Sequence, residues 1–92
     1  MTSEQTKKRP ADDSKENISE ENILILHNDD LHSFDYVIEA LIDICEHDYE
    51  QATQCTIITH YKGKCDIRKG SLKVLQTMKD ALIERKLNAT ID

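Results

Sequence analysis

At 92 residues the chain has room for one domain with a modest core, and 38% hydrophobic residues with only 4% aromatic and no Trp make that core aliphatic. A net charge of -6 argues against nucleic acid as a partner, because affinity for a phosphate backbone comes from Lys and Arg displacing counterions. Cys45, Cys55 and Cys65 are odd in number and lack C-x-x-C spacing, against a disulfide framework or zinc ribbon, and with no apolar leader or run near the roughly 20 residues of a membrane span a cytoplasmic protein with reduced thiols is expected.

Residues 1–21 offer almost nothing to bury: Lys7, Lys8, Arg9 and Pro10 precede Asp12, Asp13 and Lys15, so a disordered extension is expected there, followed by a folded domain over residues 22–92. Composition shifts at Asn22. Ile23, Leu24, Ile25 and Leu26 form a continuous apolar run closed by His27, Asn28, Asp29 and Asp30, which predicts a buried strand entering a polar loop. Ser33 is a good N-cap, and Phe34, Val37, Ile38, Leu41, Ile44 and Cys45 then recur at helical spacing. Asp48 with Gln51 caps a second helix, along which Ala52, Cys55, Ile58 and Thr59 keep the helical period until Gly63 stops it. Residues 64–68 alternate as a strand with Cys65 and Ile67 on one face. Ser71 caps a third helix whose stripe of Leu72, Leu75, Met78 and Leu82 reads as core, and Leu87, Ala89 and Ile91 alternate as an edge strand. The order βααβαβ predicts a small α+β sandwich, a three-stranded antiparallel sheet with three helices on one face.

None of these elements names a function, but two motifs do. Leu26-His27-Asn28-Asp29-Asp30, with Ala52-Thr53 and His60-Tyr61-Lys62-Gly63 following in that order, resembles the ClpS family, the adaptors of the bacterial N-end rule. The resemblance runs without a gap from about Ile23 to Arg85, so it covers the predicted folded domain. It implies a non-catalytic, monomeric adaptor without metal or cofactor. Such an adaptor binds the free amino-terminal residue of N-degron substrates, a Leu, Phe, Tyr or Trp, and hands them to the AAA+ unfoldase ClpA or ClpC for degradation by ClpP. The residues matching the family's amino-group acceptors are Asn28, Asp30 and His60. A free α-amino group is mostly an ammonium with three donors at neutral pH, so burying it demands acceptors, and Asp30 also brings a compensating charge. For His60 to accept, one ring nitrogen must be unprotonated, so binding should weaken in acid.

The same resemblance places Leu26, His27, His32, Phe34, Val37, Thr56, Thr59 and Leu87 around the family's hydrophobic pocket. Three of these depart from its usual pattern. Phe34 stands where Met is common, which implies a narrowed or reshaped pocket, and Thr56 and Thr59 stand where Met and Val are common, which implies a more polar, smaller wall. In the third helix, residues 73–78 (KVLQTM) replace a pattern with Glu, Thr and Lys that the family often uses for docking. Residues 1–21 have the length and composition of the extension through which the family engages its unfoldase.

Plainer readings exist for each feature alone. Asn28-Asp29-Asp30 by itself is a polar turn, and His60 by itself is a helix-end residue set against the macrodipole. His27, Asp29, Asp30 and His32 have metal-ligand chemistry, but a strand end splays alternate side chains to opposite faces. Cys55 and His60 are a thiol and a base with no third group to orient them, so Cys55 is expected in the core. The acidic row Asp35, Glu39, Asp43 and Glu46 reads as a solvated face. The rival to an N-degron adaptor is a protein-interaction module of the same fold, similar to the carboxy-terminal domain of the ribosomal stalk protein, which has no need of three converging acceptors.

Overall fold

The computed structural model describes residues 21–92, and the expected extension lies outside them apart from Glu21. The apolar run becomes the central strand β1 (Asn22–His27), paired antiparallel on one side with β2 (Lys64–Gly70) and on the other with β3 (Asn88–Ile91). The helices α1 (Phe34–Cys45), α2 (Tyr49–Lys62) and α3 (Leu72–Glu84) complete the expected βααβαβ order. Strand alternation turns Leu24 and Leu26 toward the helices and Ile23, Ile25 and His27 the other way. Leu24, Leu26, Ile67 and Ala89 accordingly share one core with Ile38, Leu41, Leu75 and Leu82, while Ile25, only 8% exposed, lies outside it.

Each helix starts where the sequence puts a cap. Ser33, Asp48 and Ser71 all have extended backbone and accept from the N–H three residues on, Asp48 Oδ1 most closely at 2.7 Å from Gln51 N. Gly63 ends α2 at φ 92, where a side chain would be strained, and its N–H donates to the Thr59 carbonyl. The ends of α1 and α3 use Glu46 and Lys86 in the same left-handed region without glycine.

Two expected core positions lie outside. Leu72 is 49% exposed: it is the first residue after the Ser71 cap, where the chain has just left the sheet at Gly70, and the buried stripe begins with Leu75. Ile58 is 40% exposed because the inward face of α2 is Ala52, Cys55, Thr56 and Thr59, one helical stripe that Ile58 misses by a single position. The register of β1 on β2 slips between Leu24 and Ile25, which face Arg68 and Asp66, so Ile67 is the extra residue of a bulge. The Ile67 carbonyl accepts from Nε2 of the buried His47 at 2.7 Å, a partner from the α1–α2 link.

Candidate functional site

One pocket of about 190 Å³ opens where β1 runs into its loop, between the first turns of α1, the second half of α2 and the residue before β3. Its lining includes all eleven residues named from the sequence: Asn28, Asp30 and His60, with Leu26, His27, His32, Phe34, Val37, Thr56, Thr59 and Leu87. The two motifs meet there through the backbone. The Asn28 N–H donates to the Gly63 carbonyl at 2.9 Å, which fastens the end of the central strand to the end of α2. The floor is buried: Leu26, Thr56, Thr59 and Leu87 are each at most 5% exposed. The rim is open, with Asp30 and His60 exposed and Phe34 41% exposed.

At the rim, Asn28 Nδ2 donates to Asp30 Oδ1 at 3.1 Å. That bond fixes the amide and leaves its carbonyl oxygen free to accept. Asp30 takes a left-handed backbone, φ 61, a conformation Asp tolerates better than most residues. The His60 ring is set edge-on to Phe34 at 5.2 Å between centroids and to Tyr61 at 4.8 Å, so two aromatic edges fix its plane while its nitrogens hold no hydrogen bond among the described residues.

The wall is less polar than the two threonines imply. Thr56 Oγ1 donates to the Ala52 carbonyl and Thr59 Oγ1 to the Cys55 carbonyl, both at 2.8 Å, so each hydroxyl hydrogen is spent within α2. Only lone pairs and methyl groups remain for the pocket. His27 lines the pocket from the strand, yet its Nε2 lies 2.8 Å from Thr90 Oγ1, which carries the ring across the sheet face away from the helices.

Asp29 and Ser33 also line the pocket. Ser33 does so while capping α1, whereas Asp29 pairs with His32, whose Nδ1 lies 2.9 Å from Asp29 Oδ2. Burial alone would push the Asp29 carboxyl up, but the Leu31 N–H, the hydrogen bond and charge of the His32 ring, and the His32 N–H outweigh it and hold the group below its ordinary 3.8. The other face of the imidazole stacks on Tyr36 at 4.6 Å, and the Tyr36 hydroxyl donates to the Arg85 carbonyl at 2.8 Å. The i, i+3 spacing of Asp29 and His32 in the sequence was the available sign of this pair.

Rival chemistry finds little support in the geometry. Of His27, Asp29, Asp30 and His32, only Asp29 and His32 meet, and the described residues hold no group of three metal-ligating side chains. Burial is the first cause pushing every thiol up, Cys45 to about 11 and Cys65 to about 12, and Cys55 rises in the same direction. Neutral thiols of this kind are poor nucleophiles. The acidic row is a solvated face: Asp35, Glu39, Asp43 and Glu46 are all exposed, with Asp43 pairing with Arg85 at 3.3 Å and Glu46 with Arg68 at 3.8 Å at the surface. No helix among the described residues is long and apolar enough to cross a membrane.

Comparison with known proteins points one way. The family described as "ATP-dependent Clp protease adaptor protein ClpS" matches residues 18–90. Proteins named ATP-dependent Clp protease adapter protein ClpS are similar in sequence. That of Edwardsiella ictaluri is 42% identical over 62 residues, 67% of this chain and 58% of its own length. That of Pectobacterium carotovorum is 32% identical over 75 residues, 79% of this chain and 71% of its own length. The Vibrio atlanticus protein is 37% identical over 54 residues, 59% of this chain and 51% of its own length. The chain therefore spans between about half and about seven tenths of these relatives. In structure it is similar to Agrobacterium tumefaciens ClpS2 bound to L-phenylalaninamide, with a TM-score of 0.73 and 18% identity over 79% of this chain and 95% of that one, which shows a shared fold.

Proposed function

The chain belongs to the ClpS family of Clp protease adaptors, which are not enzymes, and we propose that it captures proteins by a free, bulky hydrophobic amino-terminal residue. The substrate's first side chain enters the pocket, and Asn28, Asp30 and His60 receive its ammonium. The carrying observation is that one pocket gathers an apolar floor and, at its rim, three acceptor-bearing side chains around an open mouth.

The chemistry of the rim suits that ligand. An ammonium brings three donors; the Asn28 carbonyl oxygen, a carboxylate oxygen of Asp30 and an unprotonated nitrogen of His60 supply three acceptors. Asp30 adds a negative charge that offsets the cost of desolvating the cation. The size suits it as well: a cavity of about 150 Å³ is enough for a benzene ring, so about 190 Å³ takes one aromatic or branched aliphatic side chain and no more. L-Phenylalaninamide, bound by the Agrobacterium protein of the same fold, carries both a free amine and such a ring. Residues 22–92 then act as the capture domain. Residues 1–21 serve delivery to the unfoldase, ClpA or ClpC, and the protein works in the cytoplasm as a monomer.

The test is fluorescence anisotropy with labelled peptides that begin with Phe, Leu, Tyr, Trp, Val or acetylated Phe, against wild type and Asp30→Ala. Free bulky termini should bind and acetyl-Phe should not, because acetylation removes the charge and two of the donors. Asp30→Ala should weaken binding by at least about tenfold, the worth of one charge-assisted hydrogen bond. A folded protein that binds no free terminus would refute the proposal and leave an interaction module of the same fold.

A further inference from the structure

The pocket's polar side chains differ in what already holds them. Thr56 and Thr59 spend their only donors within α2, Ser33 Oγ accepts from Tyr36 N as the cap of α1, and the His27 ring is drawn through Nε2 to Thr90 on the sheet face away from the helices. His32 is different. Its Nδ1 faces the Asp29 carboxylate at 2.9 Å, and an ionised carboxylate only accepts, so the ring, when neutral, carries its proton on Nδ1 and its lone pair on Nε2. Nε2 has no partner among the described residues.

The imidazole is also held still. The Asp29 bond fixes one edge, the stack on Tyr36 at 4.6 Å and 13° fixes the plane, and Tyr36 is itself tied to the Arg85 carbonyl. A lone pair whose direction is fixed in advance costs little further ordering when a donor meets it. Depth distinguishes His32 from the amino-group acceptors: its side chain is 16% exposed, whereas Asp30 and His60 stand exposed at the rim. An acceptor below the rim faces what enters the pocket, the first side chain, more than the backbone that stays outside.

We propose that His32, oriented by Asp29 and Tyr36, is a specificity-determining residue that accepts a hydrogen bond from the ring donor of the first residue, so that the pocket favours Tyr, with its phenol, over Phe and Leu. This rests on the reading that the pocket takes the first side chain of a substrate. The physical basis is an asymmetry: a site that holds an acceptor ready for a donor leaves that acceptor desolvated and unpaired when a ligand lacking the donor fills it. The same argument extends to Trp through its indole N–H, within the limit set by the volume.

The experiment measures the ratio of affinities for two peptides that differ only in a first residue of Tyr or Phe, by anisotropy, for wild type, His32→Leu and His32→Gln. Each variant's fold is checked by circular dichroism. Wild type should prefer Tyr by about tenfold, the worth of one hydrogen bond of about 1.4 kcal/mol made out of water. His32→Leu should bring the ratio near one, and His32→Gln, which keeps an acceptor, should restore part of it. The ratio is the readout because a purely structural role would weaken both peptides alike. Should His32→Leu not fold, wild type and His32→Gln still decide. A wild-type ratio near one, or a Tyr preference kept by His32→Leu, overturns the proposal while Phe binding leaves the adaptor reading intact; absence of binding to either peptide overturns both.

Discussion

Replacing Thr56 and Thr59 by Ser and by Val separates two pictures of the pocket wall. In the structure both hydroxyls donate to α2 carbonyls, which leaves the methyl groups for the ligand. Thr→Ser keeps the hydroxyl and removes the methyl, while Thr→Val does the reverse with little change of shape. A buried methyl is worth about 0.8 kcal/mol, so each Ser should weaken binding of a Phe- or Leu-initiated peptide by up to about fourfold, and the double Ser variant by up to about fifteenfold. Both residues are at most 5% exposed before any ligand arrives, so these figures are upper bounds. The Val variants should bind as well as wild type or better. They lose one side-chain bond to a carbonyl that the helix already uses, which costs stability about 1 kcal/mol at most. Anisotropy titrations with both peptides, alongside urea melts to separate affinity from stability, give the answer. Val variants that lose affinity while Ser variants keep it would mean that the hydroxyls reach the ligand, and the reasoning would be wrong.

Asp48→Ala removes the acceptor 2.7 Å from Gln51 N at the start of the helix that carries Thr56, Thr59 and His60. It should cost about 1 kcal/mol and lower the melting temperature by about 4–8 °C in a thermal denaturation, with Asp48→Ser recovering most of the loss. Asp29→Asn tests the pair with His32 through pH. The native carboxyl lies below its ordinary 3.8, so its contribution to stability is fully present above that value and is lost as pH falls through the native one. In urea melts the gap between wild type and Asp29→Asn should close as pH falls below about 4; a gap that widens below that pH would reverse the assigned sign.

What the sequence disclosed follows from how local each signal is. Ser33, Asp48, Ser71 and Gly63 act on their own backbone within a few residues, and the first three start helices and Gly63 stops one where expected. The strand of residues 23–26 and the stripes of α1 and α3 are periodic apolar patterns, and exposed positions occur in them only at element ends, Phe34 and Leu72. The inward face of α2 was harder to see, because two of its four buried residues are Thr and code as polar, while the exposed Ile57 and Ile58 code as core. The gathering of the eleven pocket residues was legible only through the order of two motifs about thirty residues apart, since no periodicity links them. The direction of a side chain's hydrogen bond was not legible at all. His27 toward Thr90, Thr56 and Thr59 back into their helix, and His47 on the carbonyl freed by the bulge at Ile67 each depend on a partner that only the folded chain brings into reach.

The backbone link from Asn28 to Gly63 bears on how such a site can be both rigid and receptive. If side-chain bonds between Asn28, Asp30 and His60 held the two motifs together, the same lone pairs would be unavailable to a ligand. Here the main chain makes that join, at 2.9 Å, and aromatic edges rather than hydrogen bonds hold the His60 ring. Asn28 and Asp30 share one bond, made through the amide's donor and one carboxylate oxygen, so the carbonyl oxygen of one and remaining capacity of the other stay open. The polar rim thus contributes little to holding the fold, and the parts that do hold it, the β1–α2 join and the buried floor of Leu26, Thr56, Thr59 and Leu87, contribute no unspent donor side chain to the site. Stability and recognition rest on different atoms of the same few residues, which is why the rim can remain unpaired and exposed without loosening the domain beneath it.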